Sequence, residues 1–120
     1  MSRVVHFEIP AKNAEQSAEF YKNVFGWEIS KWDGPMEYWL IKTGEKDEPG
    51  IDGAIYQVNP MMDKTVNTVA VSDLSAMIEK VKSNGGTIAT DVMTIPGIGI
   101  MVYALDKEGV IFGMLQPDKM

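Results

Sequence analysis

The sequence predicts an α+β fold made of two βαβββ modules in tandem, about 1–60 and about 61–120, and three observations predict it. The punctuation of the chain repeats at an offset of 60: Asn13 and Asp73 stand where helices start, Ala14, Ala18 and Tyr21 recur as Leu74, Ile78 and Val81, Gly26 recurs as Gly86, and near the ends of the halves Gly53 recurs as Gly113. In each half a short alternating segment precedes the helical stripe and further strand-like segments follow it. Those segments are short, consecutive and linked by turns, which favours antiparallel neighbours over a nucleotide-binding βαβ arrangement.

Val4 to Ile9 alternates as a strand, with Val5, Phe7 and Ile9 on one face and Val4, His6 and Glu8 on the other. Asn13 offers an N-cap, Gln16 follows three residues later, and Ala14, Ala18, Tyr21 and Phe25 form a stripe ending at Gly26, so a helix is expected over about 14 to 25. Strands follow at about Trp27 to Trp32, Glu37 to Thr43 and Gly53 to Val58. Turn signals separate them at Asp33-Gly34-Pro35 and over Glu45 to Gly50, and Asn59 to Lys64 forms a linker. The second half opens with a strand over Thr65 to Val71 and a cap at Ser72-Asp73. Leu74, Met77, Ile78 and Val81 supply the helical stripe, and Asn84-Gly85-Gly86 closes it. Strands over about Thr87 to Thr94, Ile100 to Leu105 and Val110 to Leu115 complete the module.

With 120 residues, 45% of them hydrophobic, the chain suffices for one compact domain with a buried core. The absence of cysteine excludes disulfides, thiolate catalysis and sulfur-ligated zinc. A formal net charge of -6 spread over both halves leaves no basic patch, which argues against nucleic acid and anionic membranes as partners. No apolar run is long enough to span a bilayer and the N-terminus lacks a signal-peptide pattern, so a cytoplasmic protein is expected.

His6, the single histidine, is the sharpest chemical candidate. Glu8, two residues on, shares its strand face and could orient it or share a proton in acid/base work, so the two are the candidate catalytic pair. The competing reading is a histidine that is only hydrogen-bonded. Trp27, Trp32, Tyr38, Trp39 and Tyr56 crowd the first module, and strand alternation allows about half of them to line a cleft while the rest pack under the helix. Trp39 and Tyr56 are the candidate ligand contacts. Gly97 and Gly99 are followed by no helix start and no basic residue, so they mark a turn rather than a phosphate loop. No Gly-x-Ser-x-Gly elbow supports serine catalysis.

The stretch His6-Phe7-Glu8-Ile9-Pro10, then Ala18-Glu19-Phe20-Tyr21 and Val24-Phe25-Gly26-Trp27, resembles the first-module signature of the vicinal oxygen chelate superfamily, the glyoxalase, bleomycin-resistance and extradiol-dioxygenase group. Val71-Ser72-Asp73-Leu74 with Gly85-Gly86 resembles the second. The closing run from Ile95 to Gly99 and from Asp106 to Pro117 is similar to a glyoxalase-like subgroup. The resemblance implies a curved mixed sheet around a U-shaped cleft and a homodimer. It also implies that metal-dependent members place one ligand on the first and last strand of each module. Those positions fall here at His6, about Gly53 or Ala54, about Val66, and Gly113, of which only His6 can bind a metal. Gly53 and Gly113 are expected to leave room on the cleft strands, and Gly113 joins His6, Glu8, Trp39 and Tyr56 as a candidate ligand contact. The expectation is therefore a protein that binds a small aromatic or hydrophobic organic molecule without metal or other cofactor. The alternative is a lyase, isomerase or dioxygenase using a divalent metal at His6.

Overall fold

The computed structural model describes residues 2–34 and 36–118. Its elements run β1 (Val4–Ala11), α1 (Ala14–Phe25), β2 (Glu28–Lys31), β3 (Tyr38–Lys42), β4 (Asp52–Gln57), β5 (Val66–Ala70), α2 (Leu74–Ser83), β6 (Thr87–Ile88), β7 (Met93–Ile95), β8 (Gly99–Leu105) and β9 (Ile111–Pro117). This is the expected tandem of two βαβββ modules. The chain divides into two compact units, one comprising His6–Thr65, the other built from Val66 onward with the residues before His6.

In the first unit the strands lie in the order β2-β3-β4-β1. Neighbours along the chain pair antiparallel, β2 with β3 and β3 with β4, whereas β1 and β4 pair parallel, with α1 lying between them in the sequence. α1 begins where the Asn13 side-chain oxygen accepts from the Gln16 N–H at 3.0 Å, satisfying one orphan amide of the first turn. It ends at Gly26, whose φ of 72° only glycine adopts at no steric cost, and whose N–H reaches back to the Lys22 carbonyl. One strand face packs against this helix: Ala11, Ile41 and Ile55 join Ala14 and Ala18, with Phe7, Ile9, Ile29 and Trp39 around them. Tyr21 stacks on Trp27 with ring centroids 5.4 Å apart, extending that apolar layer.

The second unit repeats the plan as β5-β9-β8-β6, with the short β7 also on β8, and β5 and β9 pair parallel. Asp73 caps α2 through the Ala76 N–H at 3.0 Å. Val71, Leu74, Val102 and Met114 form its buried centre, with Met77, Ile78 and Val81 packed against it. The strand expected over about 87 to 94 is instead two short strands. Ala89 still donates to the Tyr103 carbonyl, but the Tyr103 N–H goes to the Thr90 hydroxyl at 3.1 Å, which interrupts the backbone ladder before β7 resumes it. No helix among the described residues is long and apolar enough to cross a membrane.

Candidate functional site

Alternation along β1 sends Phe7 and Ile9 to the helix side, so His6 and Glu8 occupy the opposite face of the first module. The ladder sets what stands beside them. His6 lies opposite Asp52 and Glu8 opposite Ala54 on β4; Ala54 in turn faces Leu40, and Tyr56 faces Tyr38, on β3. Residues far apart in sequence thus share one face through two strand pairings.

Glu8 is 3% exposed, unusual for a carboxylate, and a partner stands beside it. The Tyr38 hydroxyl donates to Glu8 Oε2 at 2.6 Å and lies 3.0 Å from His6 Nε2. A tyrosine hydroxyl has one proton. Because Tyr38 gives it to Glu8, it accepts from His6 Nε2–H, and the neutral imidazole keeps Nδ1 as an acceptor. Burial lowers the His6 pKa below its ordinary value, against the opposing pull of the Glu8 and Asp52 charges, which favours that neutral form. His6, Tyr38 and Glu8 are one hydrogen-bonded group, with the tyrosine fixing both the ring and the carboxylate.

Beyond His6 the same face opens into a depression of about 560 Å³, within the range of small-molecule sites. Its side chains are His6, Asp52, Leu40, Lys42, Ser30 and Glu28, with Leu40 exposed over 43% of its surface. Asp52 Oδ1 is held by the Thr43 N–H at 2.8 Å and its hydroxyl at 3.3 Å.

The structure brings together some expected contacts and separates others. His6 and Glu8 stand together. Tyr56 shares their face but is 6% exposed, and its hydroxyl donates to the Lys64 carbonyl at 2.5 Å, so it fastens the linker. Burial, and then the Glu8 charge, raise its pKa, which keeps the hydroxyl a donor. Trp39 lies on the other face: it follows Tyr38 on β3, so once Tyr38 points toward Glu8 the indole must point to the α1 side, where it packs on the core. The aromatic wall therefore reduces to Tyr38 and Tyr56, with Trp32 edge-on to Tyr38 at 5.9 Å, while Trp27 stacks beside α1. Gly113 belongs to the second unit, opposite Thr68, and a Cβ there would sit 2.8 Å from Thr68 Oγ1. Gly53 is not its counterpart. Gly53 lies opposite Phe7, whose ring fills its missing side chain, and the residue corresponding to Gly113 is Ala54, opposite Glu8. The 60-residue offset thus shortens by one at the last strand. In the sequence Tyr38 stands only as one of the crowded aromatics, and Asp52 and Lys42 carry no signal as site residues, because only non-local register joins them to His6.

The metal positions implied by the family pattern can be tested on the donors present. Among the described residues no three His, Cys, Asp or Glu side chains converge, and the positions beyond His6 carry Ala54, Val66 and Gly113, none with a ligating side chain. His6 Nε2 is engaged by Tyr38. This donor set does not fit a resident divalent metal.

Residues 3–44 match the family described as bleomycin resistance protein-like N-terminal. Over 107 residues the chain is 30% identical to a glyoxylase-like domain-containing protein of Didymella fabae, covering 85% of this chain and 84% of that protein. Solved structures similar to it include methylmalonyl-CoA epimerase from Mycobacterium tuberculosis, with a TM-score of 0.72 and 14% identity over 95% of this chain and 87% of that one. A hypothetical protein from Bacillus halodurans gives a TM-score of 0.75 and 12% identity over 99% and 96%. The methylmalonyl-CoA epimerase of Streptomyces coelicolor, in complex with 2-nitronate-propionyl-CoA, gives 0.74 and 13% over 98% and 99%. At such identities the structural likeness is one of fold.

Proposed function

The chain belongs to the vicinal oxygen chelate superfamily as a glyoxalase-like protein, and from that premise we propose that its first module binds, and so sequesters or senses, a small organic molecule without a metal. The observation that carries this reading is the Tyr38 hydroxyl set between His6 and a buried Glu8, beside a depression with Leu40 at its floor. The apolar body of the ligand covers Leu40 and gains affinity by excluding water, while a donor on the ligand meets His6 Nδ1. The tyrosine holds that acceptor in one orientation, so part of the ordering cost of binding is met before the ligand arrives. In this reading the protein acts in the cytoplasm as a homodimer.

The test is a thermal-shift screen of aromatic and aliphatic fragments against the purified chain, with elemental analysis of the same sample. Hits should raise the melting temperature by mass action and lose that effect in Leu40→Asp and His6→Ala. Stoichiometric zinc, nickel or cobalt in the sample, removed by His6→Ala, would overturn the metal-free reading.

A second reading, acid/base turnover, is favoured by one observation: His6 lines the depression and, with Nε2 held by Tyr38 and burial favouring its neutral form, keeps a second ring nitrogen that can take a proton. The likeness to epimerases that act on methylmalonyl-CoA makes acyl-CoA esters the compounds to try. Turnover that follows the titration of one group and vanishes in His6→Gln would establish it.

A further inference from the structure

We propose that the ligand of the first module carries a cationic amine on an apolar body, an inference that rests on the binding reading above and specifies its chemistry. Two rows of side chains cross the face. Ser30 stands opposite Leu40, Leu40 opposite Ala54 and Ala54 opposite Glu8; Ala54 and Glu8 are buried, so the apolar surface this row offers to the depression is Leu40. In the neighbouring row Glu28 stands opposite Lys42, and Asp52 opposite His6.

The charges of this second row are not balanced. Lys42 Nζ lies 3.8 Å from Glu28 Oε2 and 3.6 Å from Glu45 Oε2, so the one ammonium among the described residues lining the depression already meets two carboxylates. Asp52 makes no ion pair among the described residues; what fixes it is the neutral Thr43 N–H and hydroxyl on Oδ1. Burial keeps His6 neutral, so it does not offset the Asp52 charge. A ligand entering beside Leu40 meets acceptors on the adjoining strands: the Asp52 carboxylate, oriented by Thr43, and His6 opposite it. An ammonium group satisfies Asp52 with a charge-assisted hydrogen bond, whereas a carboxylate in the same place faces Asp52 and Glu28 with no unengaged cation among the described lining residues to receive it. A bare divalent cation is the poorer fit, because the carboxylates are spread around an apolar centre and no three donors converge.

The experiment is isothermal titration calorimetry of the full chain with three probes of one shape: 4-phenylbutylamine, 4-phenylbutan-1-ol and 4-phenylbutyrate. The amine should bind on the order of tenfold more tightly than the alcohol, and the acid more weakly than either. Asp52→Asn keeps the acceptor that Thr43 needs and should cut amine affinity about tenfold while leaving the alcohol unchanged. Leu40→Ala should weaken amine and alcohol alike. Equal binding of amine and acid, or amine binding indifferent to Asp52→Asn, overturns the charge inference while leaving the depression a binding site. Failure of all three probes to bind overturns the inference and the binding reading together.

Discussion

The two modules share a backbone plan and differ in what they mount on it. Asn13 and Asp73 adopt nearly the same extended conformation, φ -132° and -141° with ψ 98° in both, and each caps the amide three residues on at 3.0 Å. The parallel pairing of first and last strand also recurs. Yet where β1 presents His6 and Glu8, β5 presents Val66 and Thr68, and the consequences differ sharply. Glu8 is buried with a hydroxyl donating to it; Thr68 is equally buried, 3% exposed, and its hydroxyl has no partner among the described residues. Caps and turns are constrained by backbone geometry that any copy must satisfy, whereas the strand face opposite the helix is free to diverge. A duplicated scaffold can therefore keep both halves folded while concentrating polar chemistry in one.

The contrast breaks most strongly at Tyr38. Tyr38→Phe removes a donor from a buried carboxylate, and denaturant unfolding should show a loss of about 2 kcal/mol. The same substitution should abolish the fragment stabilisation if the tyrosine orients His6. Next is Gly113→Ala, which places a methyl group against Thr68 Oγ1 and should cost about 1–2 kcal/mol. Its counterpart, Ala54, already carries that methyl beside Glu8, so the double variant Gly113→Ala/Thr68→Ala should recover most of the loss. The caps probe what the modules share: Asn13→Ala and Asp73→Ala should each cost about 1 kcal/mol, and a large inequality would show that one helix depends on its cap more than the common geometry implies.

Thr68→Val should act in the opposite sense to Tyr38→Phe, stabilising by up to about 1 kcal/mol, because it removes a buried hydroxyl that lacks a partner while keeping its shape. The modules also differ in pH dependence. The folded-state pKa of His6 lies below its ordinary value, so as pH falls through about 6.5 the unfolded chain takes up a proton that the folded chain refuses. Stability should decline over that window, down to the folded-state pKa, by no more than about 1.4 kcal/mol per pH unit. His6→Gln should remove this component of the slope.

Local features of the fold were legible in the sequence. Asn13 and Gly26 bounded α1 at the residues observed, because a cap and a left-handed terminator are decided within a few positions. Alternation separated Phe7 from His6 for the same reason. Non-local register was not legible. Tyr38 reaches Glu8 only because β4 lies between β3 and β1, and parity alone did not decide whether Tyr38 or Trp39 would take that face. The equivalence of Gly53 and Gly113 failed because a duplication that stays in phase through the helix shifted by one residue before its last strand, and one residue moves a side chain to the other face. The break between β6 and β7 depends on the Thr90 hydroxyl replacing a backbone acceptor, which no periodicity reports.

If ligand chemistry resides in the first module, amide-resolved NMR will locate it there. On titration of the ¹⁵N-labelled chain with 4-phenylbutylamine, the largest shift changes should fall at His6, Leu40, Lys42 and Asp52. Changes centred instead on Thr68, Met101 and Gly113 would contradict that placement.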